Sequence, residues 1–210
     1  MSMGMFLQRL TNASLERICA DPKEISLCLD LPDRTPFSFG DFFRQLFGKK
    51  KRAESDTIAH KRDPHFNEPA YDLDKSWDVL CFLFCGAIWP AVSEDNNFPA
   101  NFLCPNSACA DMPNDMPDIG YCPPFAYFSR RVKEIADFLD TQTEEQLRAK
   151  FTPSAMKKAE PYPAIWDRYT DNDSPEWEGE WTYFFGFFPE LQKFVRETAD
   201  HNLALLFCLT

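Results

Sequence analysis

The chain has 210 residues, enough for one substantial core, and carries a formal net charge of −11 with a pI of about 4.7. That balance disfavours nonspecific binding to nucleic acid or to an anionic membrane, both of which need positive potential. Seven Gly beside seventeen Pro describe stiff connections and leave little material for a phosphate-cradling loop, while twenty-one Phe and five Trp provide ample apolar area.

Residues 5–10 (Met-Phe-Leu-Gln-Arg-Leu) read as a strand, and Asn12 or Ser14 can cap a short helix running to Ala20. Asp21-Pro22 restarts a helical pattern that closes on Leu27, Leu29 and Leu31 before Pro32. The stretch 32–70 departs from a compact pattern. Phe39, Phe42, Phe43, Leu46 and Phe47 make an apolar helical face, and Lys49-Lys50-Lys51-Arg52 follows as a solvated basic loop. The polar residues 53–70 then read as a loop.

Residues 71–86 form the best-marked element. Asp72 or Asp74 suits a helix start, Trp77, Leu80, Cys81 and Phe84 recur at helical spacing, and Gly86 fits the left-handed position that ends a helix. The stretch 87–119 is broken by Pro90, Pro99, Pro105, Pro113 and Pro117 and reads as a second long insertion. Gly120 opens a turn into an extended segment, followed by an amphipathic helix 130–140 capped by Ser129, with Val132, Ile135, Ala136 and Leu139 inward. Thr141 and Glu144 have capping-box spacing for a helix through Lys150, and Thr152-Pro153 starts another that ends by Pro161. Tyr162-Pro163 and Trp166 anchor an irregular stretch to the core. In the last long helix Trp177, Trp181, Phe184, Phe188 and Leu191 face the core, and a kink or break is expected at Pro189. Residues 203–209 close the chain as a buried strand.

Several of these residues also carry a family resemblance. Leu73-Asp74-Lys75-x-Trp77-x-x-Leu80, closing on Gly86, resembles the central motif of the bacterial YfbM-like family, a domain of unknown function. Met3-Gly4-Met5, Gly120-Tyr121 with Pro123-Pro124, Glu144-Glu145-Gln146-Leu147-Arg148, Tyr162-Pro163 and 203–209 are similar to family features in the same order. The resemblance covers most of the chain and is loosest over 32–70 and 87–119. Family members often carry His and Thr where this chain has Cys81 and Cys85, so no family role transfers to those side chains.

The fold expected is therefore α+β: one domain over 1–210, with insertions at about 32–70 and 87–119. A small mixed sheet takes the N-terminal strand, the segment after Gly120 and the C-terminal strand, packed by several helices including 74–85. No apolar run approaches a bilayer span and no export signal opens the chain, so no membrane partner and a cytoplasmic location are expected. The eight Cys then read as reduced. Cys81 and Cys85 with Cys104 and Cys109 number enough for zinc, but neither pair has the tight spacing and no His lies nearby. Asp171-x-Asp173 lacks the Gly and distal Glu of a calcium loop. No metal and no cofactor are expected.

Phosphate-loop, dinucleotide, zinc-protease and nucleophile-elbow motifs are absent. The catalytic candidates are weak: Asp74, Lys75 and Cys81, beside the central helix. Asp74 and Asp78, four apart, could line one helix face as paired carboxylates for acid–base work, but helix capping by Asp74 and solvent exposure of Asp78 explain them equally. The leading expectation is a non-catalytic binding protein, of the immunity type, that blocks a basic protein partner such as a bacterial toxin. Its surface would be the run Asp171, Asp173, Glu176, Trp177, Glu178 and Trp181, with acids steering and aromatics anchoring. The rival is a small enzyme with a pocket beside 74–85.

Overall fold

The computed structural model describes residues 3–25, 62–89, 97–104, 110–113, 116, 118–170 and 174–210. The helical face 39–47, the basic cluster 49–52, Cys28, Cys109, Asp171 and Asp173 lie outside these residues, as do most of the insertion 32–70 and part of 87–119.

Four strands form one sheet: β1 (Met5–Leu10), β2 (Tyr71–Asp72), β3 (Phe125–Tyr127) and β4 (Ala204–Leu209), in the order β2-β1-β4-β3. Six α-helices are present among the described residues: α1 (Asn12–Ala20), α2 (Ser76–Cys85), α3 (Ser129–Thr141), α4 (Glu144–Lys150), α5 (Pro153–Ala159) and α6 (Pro175–Asp200). The α+β class is as expected from the sequence. The sheet differs in two respects, since every pairing is antiparallel rather than mixed and β2 adds a fourth strand beside β1. Asn202, at φ 54°, turns the chain directly from α6 into β4, which then runs against both β1 and β3. Two-residue β2 is too short to leave an alternation in the sequence.

Alternation across the sheet separates two cores. Met5, Leu7, Leu205, Phe207 and Leu209 face the larger core, built with α2, α3 and α6. Leu10, Ala204, Leu206 and Cys208 face a smaller one with Leu15 and Ile18 of α1 and with Met112, Met116 and Ile119. Strand β4 is central and covered on both faces, which is why 204–209 reads as an unbroken apolar run.

Helix starts follow ordinary capping chemistry, with some shifts of position. Thr11, not Asn12 or Ser14, caps α1 by accepting from the Ser14 N–H. The capping box of α4 is Thr143 with Gln146 rather than Thr141 with Glu144. Helix α3 has no side-chain cap of its own; Asn12 Oδ1 accepts from the Ser129 N–H and ties α3 to α1. Helix α6 runs unbroken through Pro189 for 26 residues, because Trp177, Trp181, Phe184, Phe188, Leu191 and Val195 are all buried along one stripe. Phe151 fills the space beneath it, stacked on Trp177 at 4.3 Å between ring centroids.

Candidate functional site

Helix α2 is buried almost all round, and the polar residues in it are buried too. Neither Asp72 nor Asp74 caps it. Lys75 occupies the cap position without a side-chain bond, and Gly86 closes the helix at φ 76°, as its sequence position suggested. Asp72 Oδ1 accepts instead from the Asp74 N–H at 2.7 Å. Asp74 sits at φ 45°, a conformation uncommon for a residue with a side chain.

Two groupings of chemically active side chains flank α2. The first lies at the surface, where the β2–α2 turn meets α6. The hydroxyl of Tyr183, a residue 39% exposed, donates to the Asp74 carboxylate. The Tyr71 hydroxyl donates to the Phe187 carbonyl at 2.6 Å. Burial, then the Asp74 carboxylate, pushes the Tyr183 phenol well above its usual range; burial, then Glu190 and Asp72, does the same for Tyr71. Asp72 is raised by desolvation and by the neighbouring Asp74 charge, against the bond from the Asp74 N–H. Asp74 and Asp72 thus place negative charge beside the exposed Tyr183, and Glu190 and Asp72 do so beside Tyr71.

The second grouping lies along one face of α2, where Asp78, Cys81 and Cys85 follow at helical spacing. Asp78 is 1% exposed, not solvent-facing. Its Oδ1 accepts from the Trp89 N–H at 2.8 Å and its Oδ2 from the Tyr162 N–H at 2.7 Å, so one carboxyl pins two irregular segments to the helix. Desolvation raises its pKa to about 6, against those two bonds. Cys81 Sγ lies 3.8 Å from Cys85 Sγ and shares a hydrogen bond with Cys104. Hydrogen bonds that Cys81 donates to Cys104 and Cys85, with burial, hold its thiol well above its ordinary range. Cys85 is half-buried, and a hydrogen bond from Cys81 brings its thiol down to about 7, against desolvation and the Asp78 charge.

Of the residues singled out from sequence, Asp74, Lys75 and Cys81 do not form one constellation. Asp74 engages Tyr183 at the surface, whereas Cys81 is fully buried against Cys85 and Cys104. Trp177 and Trp181 are not contact anchors: they are 1% and 6% exposed and pack on Phe151. Glu176 and Glu178 are exposed as expected, but Glu178 pairs with Arg148. No three His, Cys, Asp or Glu side chains among the described residues are placed to share a metal ion. No helix among them is long and apolar enough to cross a membrane.

Sequence reasoning named Asp78 as a partner of Asp74 but missed its burial. The signal was available: Val79, Phe82 and Leu83 interrupt the polar side expected of a surface helix, and a helix apolar all round buries whatever polar residues it contains.

The family model of DUF1877, a domain of unknown function, matches residues 1–208. The chain belongs to the DUF1877 family. The DUF1877 chain is also similar in structure to YfbM from Escherichia coli, a protein of unknown function, at 15% identity and a TM-score of 0.58 over 99% of each chain. At that identity the likeness establishes the shared fold. No curated protein matches the sequence.

Proposed function

We propose that this DUF1877 chain is a non-catalytic cytoplasmic binding protein that blocks a basic protein partner, in the manner of an immunity protein against a toxin. The observation that carries the reading is the exposed Tyr183 held by Asp74 with Asp72 beside it, in a chain of net charge −11. An aromatic whose hydroxyl is already oriented contributes contact area at little entropic cost, and the surrounding carboxylates steer a cationic surface toward it. The positive φ of Asp74 fits this role, since such conformations recur where a turn must present a side chain. Glu176 extends the acidic face along α6, and Asp171 and Asp173 continue the same run in sequence. The aromatic anchor is thus Tyr183 in place of Trp177 and Trp181.

The decisive experiment pairs the chain with a basic, growth-arresting product of a neighbouring reading frame and measures association in low and high salt. Rescue of growth with a steeply salt-dependent on-rate is expected. Combined Asp72→Asn, Asp74→Asn, Glu176→Gln and Glu190→Gln should slow association at least ~10-fold in low salt. An unchanged rate for a correctly folded variant would remove the acidic face from the interface.

A second reading, a small enzyme working beside α2, is favoured by one observation: Asp78 and Cys85 share a helix face with pKa values brought to about 6 and about 7. Its residues would then be Asp78 and Cys85 rather than Asp74, Lys75 and Cys81. Loss of a measured turnover in Asp78→Asn with the fold intact is its test.

A further inference from the structure

We propose that Cys81 and Cys85, backed by Cys104, form a hydroperoxide-reactive thiol site that closes to an intrachain disulfide. This site does not depend on the binding function. Its geometric basis is a pair of thiols in contact, 3.8 Å between sulfurs, with unequal access to solvent. Cys85 is half-buried at the last turn of α2, whereas Cys81 is fully buried one turn earlier. An accessible attacking thiol beside a shielded resolving thiol is the arrangement that converts a transient oxidation into a disulfide.

Cys85 is also the member poised to react. The Cys81 hydrogen bond favours its thiolate, while desolvation, the Asp78 charge and its own bond to the Cys81 carbonyl at 3.2 Å oppose it. Lys150 Nζ, bonded to the Leu83 carbonyl at 2.7 Å, places a cation at the same helix end. By contrast, burial pushes the Cys122 thiol up to about 11, although Cys122 too is half-buried.

The chemistry balances in two steps. The Cys85 thiolate attacks the distal oxygen of a hydroperoxide; the O–O bond breaks, the departing alkoxide or hydroxide takes a proton from water, and Cys85 becomes a sulfenic acid. The Cys81 sulfur then attacks Cys85; the S–O bond breaks, the S–S bond forms, and the Cys81 proton leaves with the hydroxyl as water. A disulfide is about 2.05 Å long, so the two sulfurs must approach further. Cβ atoms four residues apart on a helix stand about 5–6 Å from each other and a disulfide needs about 3.5–4.5 Å, so closure opens the last turn of α2, which ends at Gly86.

The test uses the reduced full-length chain, substoichiometric hydrogen peroxide at pH 7, alkylation, and peptide mass spectrometry after chymotryptic cleavage between Cys81 and Cys85. Cys85 should oxidise at least ~10-fold faster than Cys122, a larger thiolate share being tempered by lower nucleophilicity at lower pKa. The product should be a Cys81–Cys85 linked peptide. In Cys81→Ser a dimedone-reactive sulfenic acid should accumulate at Cys85. Should that variant not fold, dimedone competition in the unmodified chain gives the same readout. Oxidation of Cys85 no faster than that of Cys122, or a disulfide that bypasses Cys81, would overturn the proposal.

Discussion

Replacing Asp78 by Asn removes a charge from the interior while keeping the shape of the side chain. The carboxyl is 1% exposed, and its pKa rises from 3.8 to about 6 on folding. A raised carboxyl pKa means that the folded state holds the proton more tightly than the unfolded chain. Stability is therefore lost as pH rises through the window from about 4 to about 6. Each tenfold gain in proton affinity on folding is worth about 1.4 kcal/mol, so the loss between pH 4 and pH 7 amounts to about 2 to 3 kcal/mol. Asn has no charge to bury but can accept at only one oxygen, so one of the Trp89 and Tyr162 N–H groups loses its partner at every pH. The variant should thus be clearly less stable than the parent chain at pH 4, and the difference should shrink by about 2 to 3 kcal/mol by pH 7. Urea unfolding at closely spaced pH values, with m-values checked for constancy, measures this directly. A stability difference flat across pH 4–7 would refute the assignment of Asp78 as a buried group that charges within that window.

Three further substitutions probe turns and packing elsewhere in the fold. Gly86→Ala has open space around the new methyl but a φ of 76°, so it should cost about 1 kcal/mol through backbone conformation alone, read as a lowered Tm. Gly120→Ala fails for the opposite reason. Its Cβ would stand 2.0 Å from the Leu209 carbonyl oxygen, so a loss of about 1–3 kcal/mol is expected, with faster hydrogen exchange at Tyr121, whose N–H bonds that same oxygen. Trp177→Ala opens a cavity against Phe151, Trp166 and Tyr169 and should cost about 3–5 kcal/mol in chemical denaturation. A neutral outcome would return Trp177 to the surface.

Much of the fold was legible because period and punctuation agreed. The stripe Trp177, Trp181, Phe184, Phe188 and Leu191 marks α6, Thr152-Pro153 marks α5, and the unbroken apolar run before Thr210 marks a strand covered on both faces. Strand sense was not legible, because it depends on where each helix delivers the chain rather than on any residue pattern. The site was read less well. Trp177 and Trp181 belong both to an acidic run and to a helical stripe, and burial is decided by the stripe. Asp78 looked like an exposed partner of Asp74, yet backbone N–H groups from two distant segments, invisible in a linear reading, hold it inside. Tyr183 faces away from the stripe that buries its neighbours, and its bond to Asp74 spans 109 positions of sequence.

The pairing of β1 with β4 also governs how the chain can assemble. Gly4 and Thr210 exchange backbone hydrogen bonds of 2.6 and 2.8 Å, and Met5 lies opposite Leu209. During synthesis β1 emerges before β4 and must wait for residues 11–203 before that central neighbour exists. Contacts this distant in sequence slow folding and lengthen the period in which apolar strand edges stand open. The same adjacency offers an engineering route. Joining Gly4 to Thr210 through a short linker and reopening the chain between α3 and α4 would make β4 and β1 consecutive, so that the centre of the sheet could form as a hairpin.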